Sequence, residues 1–266
     1  MSTSAFSSYA ADYDKHFTNS AIGILQRKRV FKFLAPLLNK NTDVLEINCG
    51  TGEDALAIAP LVKSILATDI SGQMIKEAIR KKEKTSAKNI RFEIADLKEL
   101  HQNLSSPFTL LFSDFGGLNC LSPLELKKFS KNIAPYISDK GKLVLVIMGK
   151  KCLWENFLFL KQKDKRFKRR NTDQGIKTQI NETYFHTYYY SPSDIAEIFS
   201  TAFTKKLVRP IGLFVPPSYF NPYFKNKRWL LNILNFLEKI TGSLPFTSNY
   251  ADHYLVILEK NQSIIN

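Results

Sequence analysis

The chain reads as an α/β protein built on a doubly wound parallel sheet covered on both faces, and three observations predict it. Near-continuous apolar runs recur at 43–47, 64–68, 90–94, 109–113 and 142–148, with helical patterns between them. The first run leads through Asn48 into a glycine turn, Gly50-Thr51-Gly52, and then into a helix start. The second run ends on a carboxylate, Asp69, about 20 residues beyond the turn, the spacing at which an acidic side chain meets a ribose in nucleoside-binding folds.

The elements follow in order. Residues 5–38 carry apolar positions at three-to-four spacing (Tyr9, Tyr13, Phe17, then Ile22, Leu25, Val30, Phe33, Leu34 and Leu37), which predicts helix. After strand one (43–47) a helix spans 53–61, and after strand two (64–68) Ser71 is placed to cap a helix running to about residue 84. Strand three (90–94) ends near Asp96, and strand four (109–113) follows Pro107. Ser122-Pro123 is a cap followed by proline at the first helical position, and Gly141 leads into strand five. Beyond residue 150 the alternation breaks. The β-branched and aromatic stretches 176–180 and 183–190, parted by Asn181-Glu182, predict an antiparallel hairpin. A helix opens at Ser191-Pro192, a strand lies near 205–211, an amphipathic helix spans 229–240 before Gly242, and a last strand covers 253–259.

Composition narrows the class. At 266 residues with 44% hydrophobic content the chain can bury a proper core. It contains no run of 18 or more apolar residues and so predicts no membrane span, and its first residues lack the features of a secretory signal. Three cysteines, Cys49, Cys120 and Cys152, show no metal-binding spacing and fit free thiols in a reducing, cytoplasmic setting, and no metal is expected. The formal charge of +14 raises nucleic acid, a membrane surface or an acidic substrate as partners. Its densest cluster runs from Lys161 to Arg170, and the reading divides between a solvated face and an anion- or membrane-contacting patch.

The segment Glu46-Ile47-Asn48-Cys49-Gly50-Thr51-Gly52 resembles motif I of the class I S-adenosylmethionine-dependent methyltransferases, acidic-x-Gly-x-Gly-x-Gly, with Asn48 standing where the family has its first glycine. Asn tolerates positive φ better than most residues, so the turn can form. The rival is the dinucleotide fingerprint, matched by Gly50-Thr51-Gly52-Glu53-Asp54-Ala55. Glu46 and the loss of βαβ alternation after strand five favour the methyltransferase.

The resemblance implies a Rossmann-like seven-stranded sheet with an antiparallel last strand, plus a C-terminal cap. Its division of the chain is a helical segment 1–40 closing over the cofactor, a core 41–150, and a part 151–266 holding cap insertions (about 152–190 and 213–245) and closing strands. It implies S-adenosylmethionine as cofactor. Asp69 would take the ribose, Asp96 with Leu97 and Ile70 the adenine, and Glu46 with the backbone at Gly50 and Gly52 the methionine end; Asn48, Met74 and Ser113 complete the set. Tyr9-Ala10-Ala11-Asp12-Tyr13-Asp14 resembles a segment found ahead of motif I in small-molecule members, which implies that Tyr13 closes over the methionine carboxylate. The loop 113–121 resembles one that borders the transferred methyl.

No Pro-Pro-aromatic motif follows strand four, no Pro-Cys dipeptide is present, and the four histidines lack ligand spacing. The expected activity is therefore methyl transfer to a small aromatic or lipid-like acceptor under a cap rich in aromatics (Tyr184, Phe185, Tyr188, Tyr189, Phe214, Tyr219, Tyr223, Phe224), with no catalytic residue assigned. Methylation of RNA or DNA, and a non-catalytic cofactor-binding relative, are the alternatives, with nucleic acid the lesser expectation.

Overall fold

A computed structural model describes residues 14–161, 169–172, 174–180, 183–242 and 244–262. Nine strands form a seven-stranded sheet and a separate hairpin among these residues. The strands are β1 (Asp43–Ile47), β2 (Ser64–Asp69), β3 (Ile90–Ile94), β4 (Phe108–Ser113), β5 (Ile137–Met148), β6 (Ile176–Ile180), β7 (Thr183–Thr187), β8 (Phe203–Ile211) and β9 (His253–Lys260). The large sheet runs β3-β2-β1-β4-β5-β9-β8, and β6 pairs β7. Within the large sheet β9 is antiparallel to both neighbours and the other pairings are parallel, and the β6–β7 pair is antiparallel. The order reverses direction between β1 and β4, so their carboxyl ends open a crevice where ligands bind in such sheets.

Alternation along the buried strands feeds two apolar layers. One face of the sheet (Leu45, Ile47, Leu111, Leu145) meets α4 (Pro123–Ile133) through Leu126 and Phe129, and α6 (Pro192–Phe199) through Ile195. The other face (Val44, Leu110, Phe112, Val146) meets α1 (Ala21–Leu34), α2 (Glu53–Ile58) and α3 (Gly72–Lys82). The caps behave as their residue types dictate. The Ser71 side chain accepts from the Met74 N–H, and Ser122 and Ser191 each complete a capping box.

Three expectations need adjustment. The single N-terminal helix is interrupted: Asp14–Thr18 is a π-type turn, and Ser20 starts α1 by accepting from the Gly23 N–H, as a short hydroxyl side chain favours. β5 begins at Ile137 rather than 142, with irregular register against β4 between Phe108 and Leu110. The segment after Gly212 emerges at the sheet's carboxyl end, where Ile211 and Met148 both pair with His253, but its apolar residues pack onto α1. It carries α7 (Asn221–Phe224) and α8 (Arg228–Thr241), after α5 (Leu153–Lys161) earlier in the chain. Val215, Phe224 and Leu231 pack with Ile22, and the Asn221 side chain accepts from the Ile22 N–H.

Candidate functional site

β1 ends in a turn with two left-handed glycines, Gly50 (φ 53°) and Gly52 (φ 74°), preceded by Asn48 at φ 56°. Asn48 adopts the conformation expected of a residue replacing glycine. Its Nδ2 donates to Ser113 Oγ at 3.2 Å, which ties the turn to the end of β4. Its side chain fills the space beside Gly117, where an added Cβ would lie 2.2 Å from Asn48 Cγ. Gly52 serves packing: a Cβ there would come within 2.8 Å of Ala78 and the Phe92 ring.

The Asp69 carboxylate faces this turn. The Gly50 N–H donates to Oδ2 at 3.0 Å and the Ser71 N–H to Oδ1 at 2.9 Å. Burial raises its pKa, against the opposing hydrogen bonds from Ser71, Gly50 and Ile70. A carboxylate oxygen has lone pairs to spare beyond one such bond, so Asp69 is fixed in place and can still accept from a diol.

These groups open on a cavity of about 520 Å³, within the range of small-molecule sites. Asn48, Gly50, Asp69, Ile70, Met74, Asp96 and Leu97 form one wall, so seven of the sequence-derived residues converge on it. Glu46, Gly52 and Ser113 do not reach the cavity. Glu46 and Ser113 are buried just beneath it, the latter as the partner of Asn48, and Gly52 is spent on packing. Tyr13 lies outside the described residues. Its neighbour Asp14 does reach the turn, accepting from Thr51 Oγ1 at 2.7 Å and pairing with Lys81.

Below the turn sits a buried acidic trio. Glu46, Asp54 and Asp114 lie together, with Asp114 on the cavity floor and Arg27 paired to Asp54 at 2.6 Å. Burial and mutual repulsion push Glu46 and Asp114 well above the ordinary carboxylate range, and burial outweighs Arg27 in raising Asp54. The Asp54 and Asp114 side chains also act on one another, lowering Asp54 and raising Asp114. Glu46 Oε2 meets no hydrogen-bond donor among the described residues. Such a cluster suits a cationic ligand end.

The floor continues through Phe115, Gly116, Gly117, Cys120, Leu121 and Met148, and the roof is the β6–β7 hairpin through Ile176, Lys177, Thr178, Phe185 and Thr187, with Tyr189 beyond it. Phe115 is held at φ 38°, wedged edge-on between Phe17 and His253. Asn119 fixes the roof to the floor. Its side chain donates to the carbonyls of Met148 and Tyr188 and accepts from the Met148 N–H at 2.9 Å. The loop 113–121, expected beside the transferred methyl, reaches the cavity through Asp114, Phe115 and Cys120, and the structure adds Met148 to the lining. The position of Met148 at the carboxyl end of a parallel strand was the available signal.

Of the aromatics expected over the site, Phe185 and Tyr189 line it, whereas Tyr184 and Tyr223 are exposed and Phe224 packs with Ile22. The basic run is also divided. Arg169 lines the cavity while gripping Glu155 with two nitrogens, and Arg170 is buried, bridging Glu155 at 2.7 Å and Asp252 at 2.6 Å. Arg170, expected on a solvated or anion-binding patch, is instead part of a core ion pair; residues 162–168 lie outside the described set. Cys152, Glu155 and Asp252 are close enough to hold a metal, but the Arg170 guanidinium occupies the two carboxylates. Among the described residues no helix is long and apolar enough to cross a membrane.

The residues present fit S-adenosylmethionine: a fixed carboxylate for the ribose, an apolar slot (Ile70, Met74, Leu97) beside Asp96 for the base, and an acid-rich floor for the ammonium end. Comparisons with known proteins agree. Residues 44–141 match the methyltransferase domain family model. A tRNA/tmRNA (uracil-C(5))-methyltransferase of Campylobacter jejuni is 36% identical over 137 residues, 48% of this chain and 38% of that protein. Its Campylobacter lari counterpart is 35% identical over 79 residues, 29% of this chain and 23% of that protein. The chain thus spans less than two-fifths of the length of these curated relatives. Among solved structures, the DhpI–SAH complex aligns with TM-score 0.59 at 14% identity, covering 98% of this chain and 96% of that one. Magnesium protoporphyrin IX methyltransferase from Synechocystis with bound SAH aligns with TM-score 0.57 at 15% identity, covering 91% and 85%. The N-methyltransferase NodS from Bradyrhizobium japonicum, in complex with S-adenosyl-L-homocysteine, aligns with TM-score 0.55 at 13% identity, covering 92% and 90%. These likenesses establish the fold, and within it residues 44–141 match the methyltransferase domain model, the stretch that holds the Gly50 turn and Asp69.

Proposed function

We propose that the protein transfers a methyl group to a small organic acceptor with an apolar body and an acidic group. One observation carries this reading: the cavity walled by Gly50 and Asp69 is roofed by Ile176, Phe185 and Tyr189, with Lys177 and Arg169 among its lining. The apolar roof suits an aromatic or aliphatic body, and Lys177 suits a carboxylate or phosphate, beside an Arg169 that is paired to Glu155. The transferred methyl comes from the sulfonium of the cofactor, which leaves as a neutral thioether.

Asp69 and the Gly50 turn orient the donor, the Asn119-anchored hairpin excludes water, and the acceptor's own lone pair attacks in line. Positioning and desolvation supply most of the acceleration in such a site. Among the described residues no histidine lines the cavity. Cys120 does, but burial pushes its thiol up to about 11, so it is not a ready thiolate nucleophile. This argues against chemistry that begins with thiolate attack on a pyrimidine.

The names of the curated relatives and the charge of +14 keep tRNA as a second reading. Incubation with methyl-labelled cofactor, offering a panel of aromatic and fatty acids beside bulk tRNA, separates the two. Label in the small-molecule fraction supports the proposal, and label only in RNA contradicts it.

A further inference from the structure

α8 has two apolar faces, and the fold uses one. Its inner face carries Leu231, packed with Ile22, Val215 and Phe224, and Glu238, whose carboxylate accepts from the N–H groups of Gly212, Phe214 and Val215 and pairs with Arg29. At 3.6 residues per turn, Trp229, Ile233, Phe236 and Ile240 fall within an arc of roughly 60° on the opposite side. All four point to solvent, with Trp229 65%, Phe236 61% and Ile240 59% exposed. Phe246, beyond the helix in the chain, is 64% exposed as well. Single exposed apolar residues are ordinary, but a contiguous row of large ones marks a contact surface.

Charge identifies what covers it. Between residues 213 and 250 the charged side chains are Lys225, Lys227, Arg228, Lys239 and Glu238. Glu238 is turned inward, so the charge flanking the stripe is wholly positive. A second copy of a chain carrying +14 would bring like charges together around the contact. An anionic lipid surface complements both parts. Trp and Phe sit in the interface, Lys and Arg at its edge meet the headgroups, and a 14-residue helix is too short to span and suited to lie flat. We propose that the outer face of α8 docks the protein on membranes containing anionic lipid. This contact is separate from the run Lys161–Arg170, in which Arg169 and Arg170 are paired to carboxylates.

The test is co-sedimentation of the full chain with vesicles of phosphatidylcholine plus phosphatidylglycerol, against phosphatidylcholine alone. The expected result is binding to the anionic vesicles, weakened by salt, with a blue shift of emission that Trp229→Phe removes. The double variant W229S/F236S changes two exposed residues and should lower partitioning roughly tenfold or more, and Lys239→Gln should lower it roughly fivefold. Three outcomes overturn the proposal: the full chain remains in the supernatant, the double variant binds as well as the parent, or the parent is a dimer that the double variant dissociates.

Discussion

The Gly50 N–H donates to the Asp69 carboxylate at 3.0 Å, so the glycine turn and the acid proposed to hold the ribose form one unit. On that proposal cofactor recognition depends on both. Asp69→Asn keeps the shape but removes the charge, and Asp69→Ala removes the acceptor. Two hydrogen bonds to a charged group are worth roughly 2–4 kcal/mol together, so Asp69→Ala should weaken cofactor binding roughly 30- to 700-fold. Calorimetry on the folded variant measures it, and unchanged affinity would remove Asp69 from the site.

Asn48→Gly should fold and still bind cofactor within a few-fold of the parent. Glycine adopts φ 56° without strain, and the losses are the Nδ2–Ser113 bond and the filling beside Gly117. A tenfold fall in affinity would show that the Asn48 side chain, rather than the backbone, serves the ligand.

The acidic trio predicts a pH signature. Glu46 and Asp114 have folded pKa values raised by burial and by neighbouring acids. Their contribution to stability is therefore fully present below the ordinary carboxylate value and is lost as pH rises through the folded value. A cationic ligand end beside them favours the ionised forms. Cofactor binding should release protons and tighten with rising pH across that window, and Glu46→Gln should flatten the trend. Titrations in buffers of different ionisation enthalpy count the protons; uptake, or no exchange, contradicts the assignment.

Arg170→Ala should cost up to about 3 kcal/mol, because it removes the cation that bridges two buried carboxylates and leaves Glu155 to Arg169 and Asp252 to His253. Despite burial, His253 and Arg170 hold Asp252 well below the ordinary carboxylate range, and Arg169 and Arg170 lower Glu155. The network's contribution is thus full at neutral pH and fades as acid brings the pH down through those folded values. Urea midpoints of parent and variant should converge on acidification, and equal midpoints at neutral pH would contradict the ion-pair account.

The sheet and turn were legible because their signals are local. β1, β2 and β3 announce themselves by apolar runs, Ser71, Ser122 and Ser191 by capping chemistry, and Asp69 by its distance from Gly50. What stayed hidden depends on contacts distant in sequence. Gly52 looks like a ligand contact until Ala78 and Phe92 are seen against it. Arg170 looks like one more surface cation until Asp252, 82 positions away, turns out to be its partner. The segment after Gly212 carries rings that suit an acceptor pocket, but Ile22 and Gln26 draw it onto α1.

The central claim is that the Gly50–Asp69 unit binds S-adenosylmethionine. Calorimetry of the purified chain against S-adenosylmethionine, S-adenosylhomocysteine and NAD tests it most directly. The account predicts micromolar binding of both sulfur ligands, weakened in Asp69→Ala, and none of NAD; binding of NAD with neither sulfur ligand would contradict it.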